Sequence, residues 1–225
     1  MSDYNYDFIE FSKSILLVIT ALVPIINPPG GAPIFLAMTD GCSEQERRTM
    51  SKRIALNGFV MLLGSMFIGT YVLKFFGLSL PVVRVAGGLV VAAAGWRLLD
   101  ADDHSLDQSQ APTPGPVVIR RTFYPLTFPL TIGPGSISVA ITLGATLRTR
   151  GGIDALNLAG GVIGVLVVSL ILFLSYRFAG KLITLLGETG TSVFLRLSAF
   201  ILLCIGVQIC WNGAAELIHS VIDSV

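Results

Sequence analysis

Pro24-Ile25-Ile26-Asn27-Pro28-Pro29-Gly30-Gly31-Ala32-Pro33 sets a cluster of helix breakers inside an otherwise apolar run. The chain repeats the device at Pro129-Leu130-Thr131-Ile132-Gly133-Pro134-Gly135-Ser136. A shift of 105 positions puts Pro24 on Pro129, Pro29 on Pro134 and Gly30 on Gly135, so both copies read P-x-x-x-x-P-G. Proline removes a backbone donor and glycine relaxes the backbone, so each copy predicts a helix that stops and restarts.

Composition decides the solvent around these breaks. Of the 225 residues 53% are hydrophobic and only 13% charged, about half the charged share of a soluble domain. Long apolar runs almost free of charge predict several membrane crossings in a lipid bilayer. The net charge of +1 is evenly mixed, which leaves no electrostatic footprint for nucleic acid. Cys42, Cys204 and Cys210 form no metal or redox spacing. The run from Ser14 to Ile26 resembles a signal peptide in length but continues into the break, so it is read as a retained span.

Taken in order, the apolar segments cover about residues 8–38, 54–76, 82–99, 123–147, 153–179 and 191–217. The first is too long for one straight crossing, and two half-helices meeting near mid-membrane fit it better. The expected architecture is all-α, one membrane domain over 1–225 with six transmembrane helices. These form two repeats, about 8–99 and 123–217, joined by a polar, proline-containing linker of about 100–121. Val83-Arg84-Val85 and Leu195-Arg196-Leu197 open the third and sixth spans alike. Three spans per repeat force the second to enter from the opposite side, giving inverted repeats with spans 1 and 4 broken, as in many secondary transporters.

Basic residues set the orientation. Arg47, Arg48, Lys52, Arg53, Arg97, Arg120, Arg121, Arg177, Lys181 and Arg196 fall on one side, against Lys13, Lys74, Arg84, Arg148 and Arg150 on the other. The richer side is expected in the cytoplasm, with both termini outside.

Irregular backbone at membrane depth is tolerated only where protein or a water-filled cavity covers it. The N–H groups of Gly30, Gly31 and Ala32, and of Gly135, Ser136 and Ile137, are expected to point into the gap. The positive end of a helix attracts anions, so the predicted ligand is compact and carries a carboxylate. Asn27, Thr131 and Ser136 add hydrogen-bonding side chains, and Pro28, Pro29 and Pro134 make the breaks. Arg84 and Arg196 either reach the interface or brace the broken helices. Gln208 is either glue between helices or a substrate contact. Gly87-Gly88, Gly160-Gly161, Gly164 and Gly206 are assigned to close helix packing. No Asp, Glu, Lys or His falls near the middle of a span, which disfavours a proton relay, a divalent-metal exporter and an intramembrane protease. No enzyme activity, cofactor or metal is expected.

Asn27-Pro28-Pro29-Gly30, followed by Pro33-Ile34-Phe35-Leu36, resembles the N-P-x-G signature of the MarC family of bacterial inner-membrane proteins. Pro129-Leu130-Thr131-Ile132-Gly133-Pro134-Gly135 is similar to its second signature, P-L-x-x-G-P-G, and Arg84-Val85-Ala86-Gly87-Gly88 and Gly187-Glu188-Thr189-Gly190 are familiar from it. The likeness covers nearly the whole chain. Some members carry small neutral amino acids such as glycine and alanine. The resemblance therefore implies a small zwitterion contacted by Asn27, Gly30, Gly31, Thr131, Gly133, Gly135 and Ser136, and a multi-pass protein of the bacterial inner membrane. A second proline at position 28 and an acidic linker depart from the pattern. The alternative function is a channel or exporter for another small solute or ion, and small-residue helix faces leave room for a homo-oligomer.

Overall fold

The computed structural model describes residues 2–39, 41–100, 122–149 and 155–222. They form helices alone: α1 (Ser2–Ile26), α2 (Pro28–Met38), α3 (Glu44–Phe75), α4 (Leu80–Asp100), α5 (Thr122–Thr131), α6 (Pro134–Thr149), α7 (Ala155–Arg177) and α8 (Ala179–Ile222). Five helices are long and apolar enough to cross a bilayer. The count rises to six when α5 and α6, bent by 69° at their junction, are taken as one span.

Most predicted segments recur with shifted ends, each for a local reason. α3 begins ten residues before the expected 54, because Ser43 and Glu46 form a reciprocal capping box that starts the helix in the polar loop. α8 begins at Ala179 and breaks at Gly187, whose φ of 67° only glycine adopts readily. The first segment differs more. α1 alone holds an 18-residue apolar stretch, Ile9–Ile26, already of crossing length, and α2 adds 11 residues beyond it. The break at Asn27 therefore follows a complete apolar stretch instead of dividing one. The expected linker at 101–121 lies outside the described residues.

Packing is reciprocal between the two halves of the chain. α1 lies on α7 and α5 on α3, while α2 meets α8 and α6 meets α4. The partners α4 and α8 run antiparallel: Pro81 and Arg84 face Gly213, Gly88 faces Gly206 and Cys210, and Gly95 faces Ala199 and Leu203. α3 and α7 are antiparallel too, since Gly58 faces Leu172 and Gly161 faces Met66. The tripeptide Ala-Leu-Asn occurs once in each, and both asparagines reach the other half. Asn57 donates to Thr127 Oγ1 (3.4 Å), and Asn157 Oδ1 accepts from Ser14 Oγ (2.8 Å).

Lipid offers apolar side chains nearly what a protein core does, so close van der Waals contact has to hold such helices together. The glycines supply it. A Cβ on Gly88 would stand 2.5 Å from the backbone nitrogen of Cys210, and one on Gly95 2.5 Å from that of Leu203. Val18, Leu22, Phe35, Met50, Ile54, Leu62, Met66, Leu147, Val165, Val168 and Leu172 fill the main core, and Ile25, Val91 and Leu202 a second, smaller one. Leu56, Val60, Leu166, Leu170, Phe200 and Val207 point outward, as a lipid-facing surface requires.

Candidate functional site

The first break turns on Asn27. It holds a left-handed backbone (φ 46°, ψ 59°), unusual for a residue with a side chain, and caps α2 by accepting the Gly30 N–H on Oδ1 at 3.2 Å. Gly31 N–H returns to Asn27 O at 3.0 Å. Pro28 and Pro29, the first two residues of α2, have no N–H to offer. The start of α2 is thereby closed, and the expectation that Gly30 and Gly31 present donors to the gap is corrected. The capping bond instead orients the Asn27 amide so that its Nδ2, which can donate twice, has no partner among the described residues. A Cβ on Gly30 would overlap this amide.

The second break is built differently. Tyr124 and Phe128 are extended within α5, which therefore coils irregularly, and Ile132 N–H reaches back to Thr127 O at 2.8 Å. Pro134 then restarts the chain as α6, where Ile137 N–H is the first to find an acceptor, Gly133 O at 3.1 Å. The N–H groups of Gly135 and Ser136 are left without one among the described residues. The Ser136 side chain, 3% exposed, is also without a partner among the described residues. Of the two half-helix starts, α6 is the open one.

Tyr176, near the end of α7, joins the breaks. Its ring stacks on Phe35 of α2 with centroids 4.7 Å apart, and its hydroxyl lies 2.9 Å from Thr131 Oγ1. Thr131 spends its one hydrogen on Leu126 O at 2.7 Å, so the tyrosine is the donor between them. A Cβ on Gly31 would come within 2.7 Å of the same hydroxyl.

Between these parts lies a cavity of about 700 Å³. Asn27, Gly30, Gly31, Thr131, Gly133, Gly135 and Ser136 all line it, together with Pro134. It is level with Val91, midway along α4, where a Cβ on Gly135 would overlap the valine. From there it extends past Ala94 towards Met38, Arg97 and Pro125, the end of the molecule that carries the α2–α3 turn. The opposite direction is packed shut. Ser138 fills the space beside Gly87, and Arg84 ties α4 to Glu216 of α8 and to Thr142 Oγ1 of α6 (3.4 Å).

Several expected residues stand elsewhere. Gln208 does not join the cavity: it is exposed on α8 and donates to Asn212 Oδ1 at 2.9 Å, a bond within its own helix. Pro28 and Pro29 shape the break without lining the space. Arg84 braces α4, α6 and α8 through the side chains of Thr142 and Glu216, whereas Arg196 is exposed on α8 and away from the cavity. Two polar side chains of the lining escaped the sequence reading. Tyr176 carried no local signal in an apolar span, and Arg97 was counted only for orientation. Arg97 is the one charged residue of the lining, without a hydrogen bond or ion pair to any described residue. Among the described residues no group of three or more His, Cys, Asp or Glu converges.

Antiparallel glycine-packed helices, apolar outer faces and a cavity at two helix breaks define a multi-pass α-helical membrane protein. The model of the MarC family, described as integral membrane proteins, matches residues 12–218. The chain belongs to the MarC family. The "UPF0056 inner membrane protein MarC" of Escherichia coli O1:K1 / APEC is 31% identical over 218 residues, 94% of this chain and 99% of the relative. Its counterpart in Escherichia coli (strain K12) is 30% identical over the same shares. With the apolar helices, these relatives make the chain a multi-pass inner-membrane protein. No solved structure matches it significantly.

Proposed function

We propose that this protein transports small neutral amino acids of the glycine, alanine, serine and threonine type by alternating access between two inverted three-helix repeats. The observation that carries this reading is the single cavity on which the residues of both breaks converge. Its floor offers the unpaired N–H groups of Gly135 and Ser136, the Ser136 hydroxyl and the Asn27 amide. These are donors suited to a carboxylate, at the positive end of a half-helix. The walls, Ile25, Ile34, Val90, Val91, Ala93 and Leu202, are small or apolar and carry no acid.

Reciprocal helix packing supports the inverted repeat, since equivalent helices related by an axis in the membrane plane must run antiparallel, as α4 and α8 do. With six spans, the cavity mouth shares its side with Arg47, Arg48 and Arg97, the side expected to be cytoplasmic. The described state is then open inward, and both termini lie outside.

Uptake of labelled glycine, alanine, serine and threonine into proteoliposomes tests the proposal. Flux above empty liposomes is expected, with loss in Gly135→Leu at unchanged protein incorporation. The absence of flux for all four amino acids, in both directions, overturns it.

A further inference from the structure

The two breaks are unequal, and the inequality assigns a second subsite. In an unbroken helix the N–H groups of residues 28, 29 and 30 would bond to the carbonyls of residues 24, 25 and 26. Here Pro28 and Pro29 have no N–H, and Gly30 gives its own to the Asn27 side chain. The last carbonyl of α1 with a backbone donor is that of Val23, which accepts from Asn27 N–H at 2.9 Å. The carbonyls of Pro24, Ile25 and Ile26 have none among the described residues. Ile25 and Ile26 line the cavity.

Three unpaired carbonyls at the end of a 25-residue helix concentrate the negative pole of its dipole. α5 ends at the cavity as well, but its extended residues Tyr124 and Phe128 keep its peptide dipoles from aligning. The cavity is thus bordered both by the start of α6, at Gly135 and Ser136, and by the end of α1, at Ile25 and Ile26.

We propose that the end of α1 is a binding site for a monovalent cationic group, formed by the carbonyls that Pro28 and Pro29 leave free. This deepens the transport reading and rests on it: the occupant is the ammonium of the amino acid whose carboxylate sits on Gly135 and Ser136. The same carbonyl chemistry would take a Na⁺ ion, and the two sources are separated below. Held at both helix ends, the solute must carry both charges. A carboxylate without an amine is rejected because the carbonyls stay unpaired, and unmet polar groups discriminate more sharply than missing apolar contact.

The test titrates purified protein with alanine and with propionate, in sodium and in choline buffer, following thermal shift. Wild-type protein is expected to bind alanine at least about tenfold more tightly than propionate, the scale of one charge-assisted hydrogen bond. Pro28→Ala and Pro29→Ala each add a backbone N–H donor beside the end of α1. Both are expected to lower that preference several-fold, through weaker alanine binding with propionate unchanged. Ser136→Ala, at the start of α6, should weaken both ligands alike. If alanine and propionate bind equally well in sodium and both fail in choline, the cationic site holds and Na⁺ occupies it. If the alanine preference survives both proline variants and sodium is without effect, the cationic site is overturned while the transport reading stands. If no neutral amino acid shifts the wild-type protein, the transport reading fails, and the ammonium assignment with it. Two separate proline variants keep the test decisive should one of them not fold.

Discussion

Asn27 carries two duties that can be separated by choice of substitution. Its backbone is left-handed, which suits glycine, and its side chain caps α2. Asn27→Ala loses the cap and strains the backbone, for a combined cost of about 2 kcal/mol. Asn27→Gly loses the cap alone and is expected to cost only a few tenths of a kcal/mol. Thermal unfolding in detergent should therefore rank the glycine variant well above the alanine one, whereas both lose the amide donor and bind solute equally poorly. Gly135 makes a second residue-scale case. Any Cβ there overlaps Val91, a short side chain that cannot swing away. Gly135→Ala is expected to lower stability by about 1–3 kcal/mol, as overpacking does. Adding Val91→Ala should recover part of that loss in the same assay, and full additivity of the two changes would disprove the contact.

At the scale of elements, the α4–α8 crossing is set by backbone meeting backbone. Gly88→Leu places its side chain on Gly206 and Cys210, where the opposing atoms are main chain and cannot yield. The variant is expected to fail to reach the membrane in folded form, read by fluorescence-detected gel filtration. Gly64, inside α3, has nothing within 4 Å of its Cβ position. Gly64→Ala should be neutral or raise stability by up to about 1 kcal/mol, the helix-propensity difference. Sequence alone located both breaks and the small-residue packing, because proline, glycine and unbroken apolar length each act locally. It did not reveal that the α2 start is closed, since which N–H a side chain such as Asn27 takes depends on the geometry of the turn. Nor could it find Tyr176, whose importance comes from Phe35, Gly31 and Thr131 being brought to it from two distant segments. Gln208 misled for a similar reason: a polar residue in an apolar span is satisfied as well by Asn212 one turn away as by a cavity.

For the whole molecule, the one-sided cavity and the packed opposite face make an accessibility pattern. In a background with Cys42, Cys204 and Cys210 replaced, Ala94→Cys and Leu98→Cys are expected to react with an impermeant maleimide from the side of the α2–α3 turn only. Thr142→Cys, beside the Arg84–Glu216 pair, should resist it from both sides. Glu216→Gln weakens the tie between α4 and α8, so Thr142→Cys is expected to become reactive from the far side. Unchanged labelling would mean that this ion pair does not keep the far side shut.

The asymmetry of the two breaks also determines what can be watched in real time. Prolines have no amide hydrogen, and the amides of Gly30 and Gly31 are already bonded within the protein. Deuterium uptake at the first break should therefore be slow and indifferent to solute. Gly135 and Ser136 offer amides with no acceptor among the described residues, which an empty cavity leaves open to isotope exchange and an occupied one covers. A peptide spanning those two residues then reports occupancy directly, with its counterpart around Gly30 as an internal reference on the same chain.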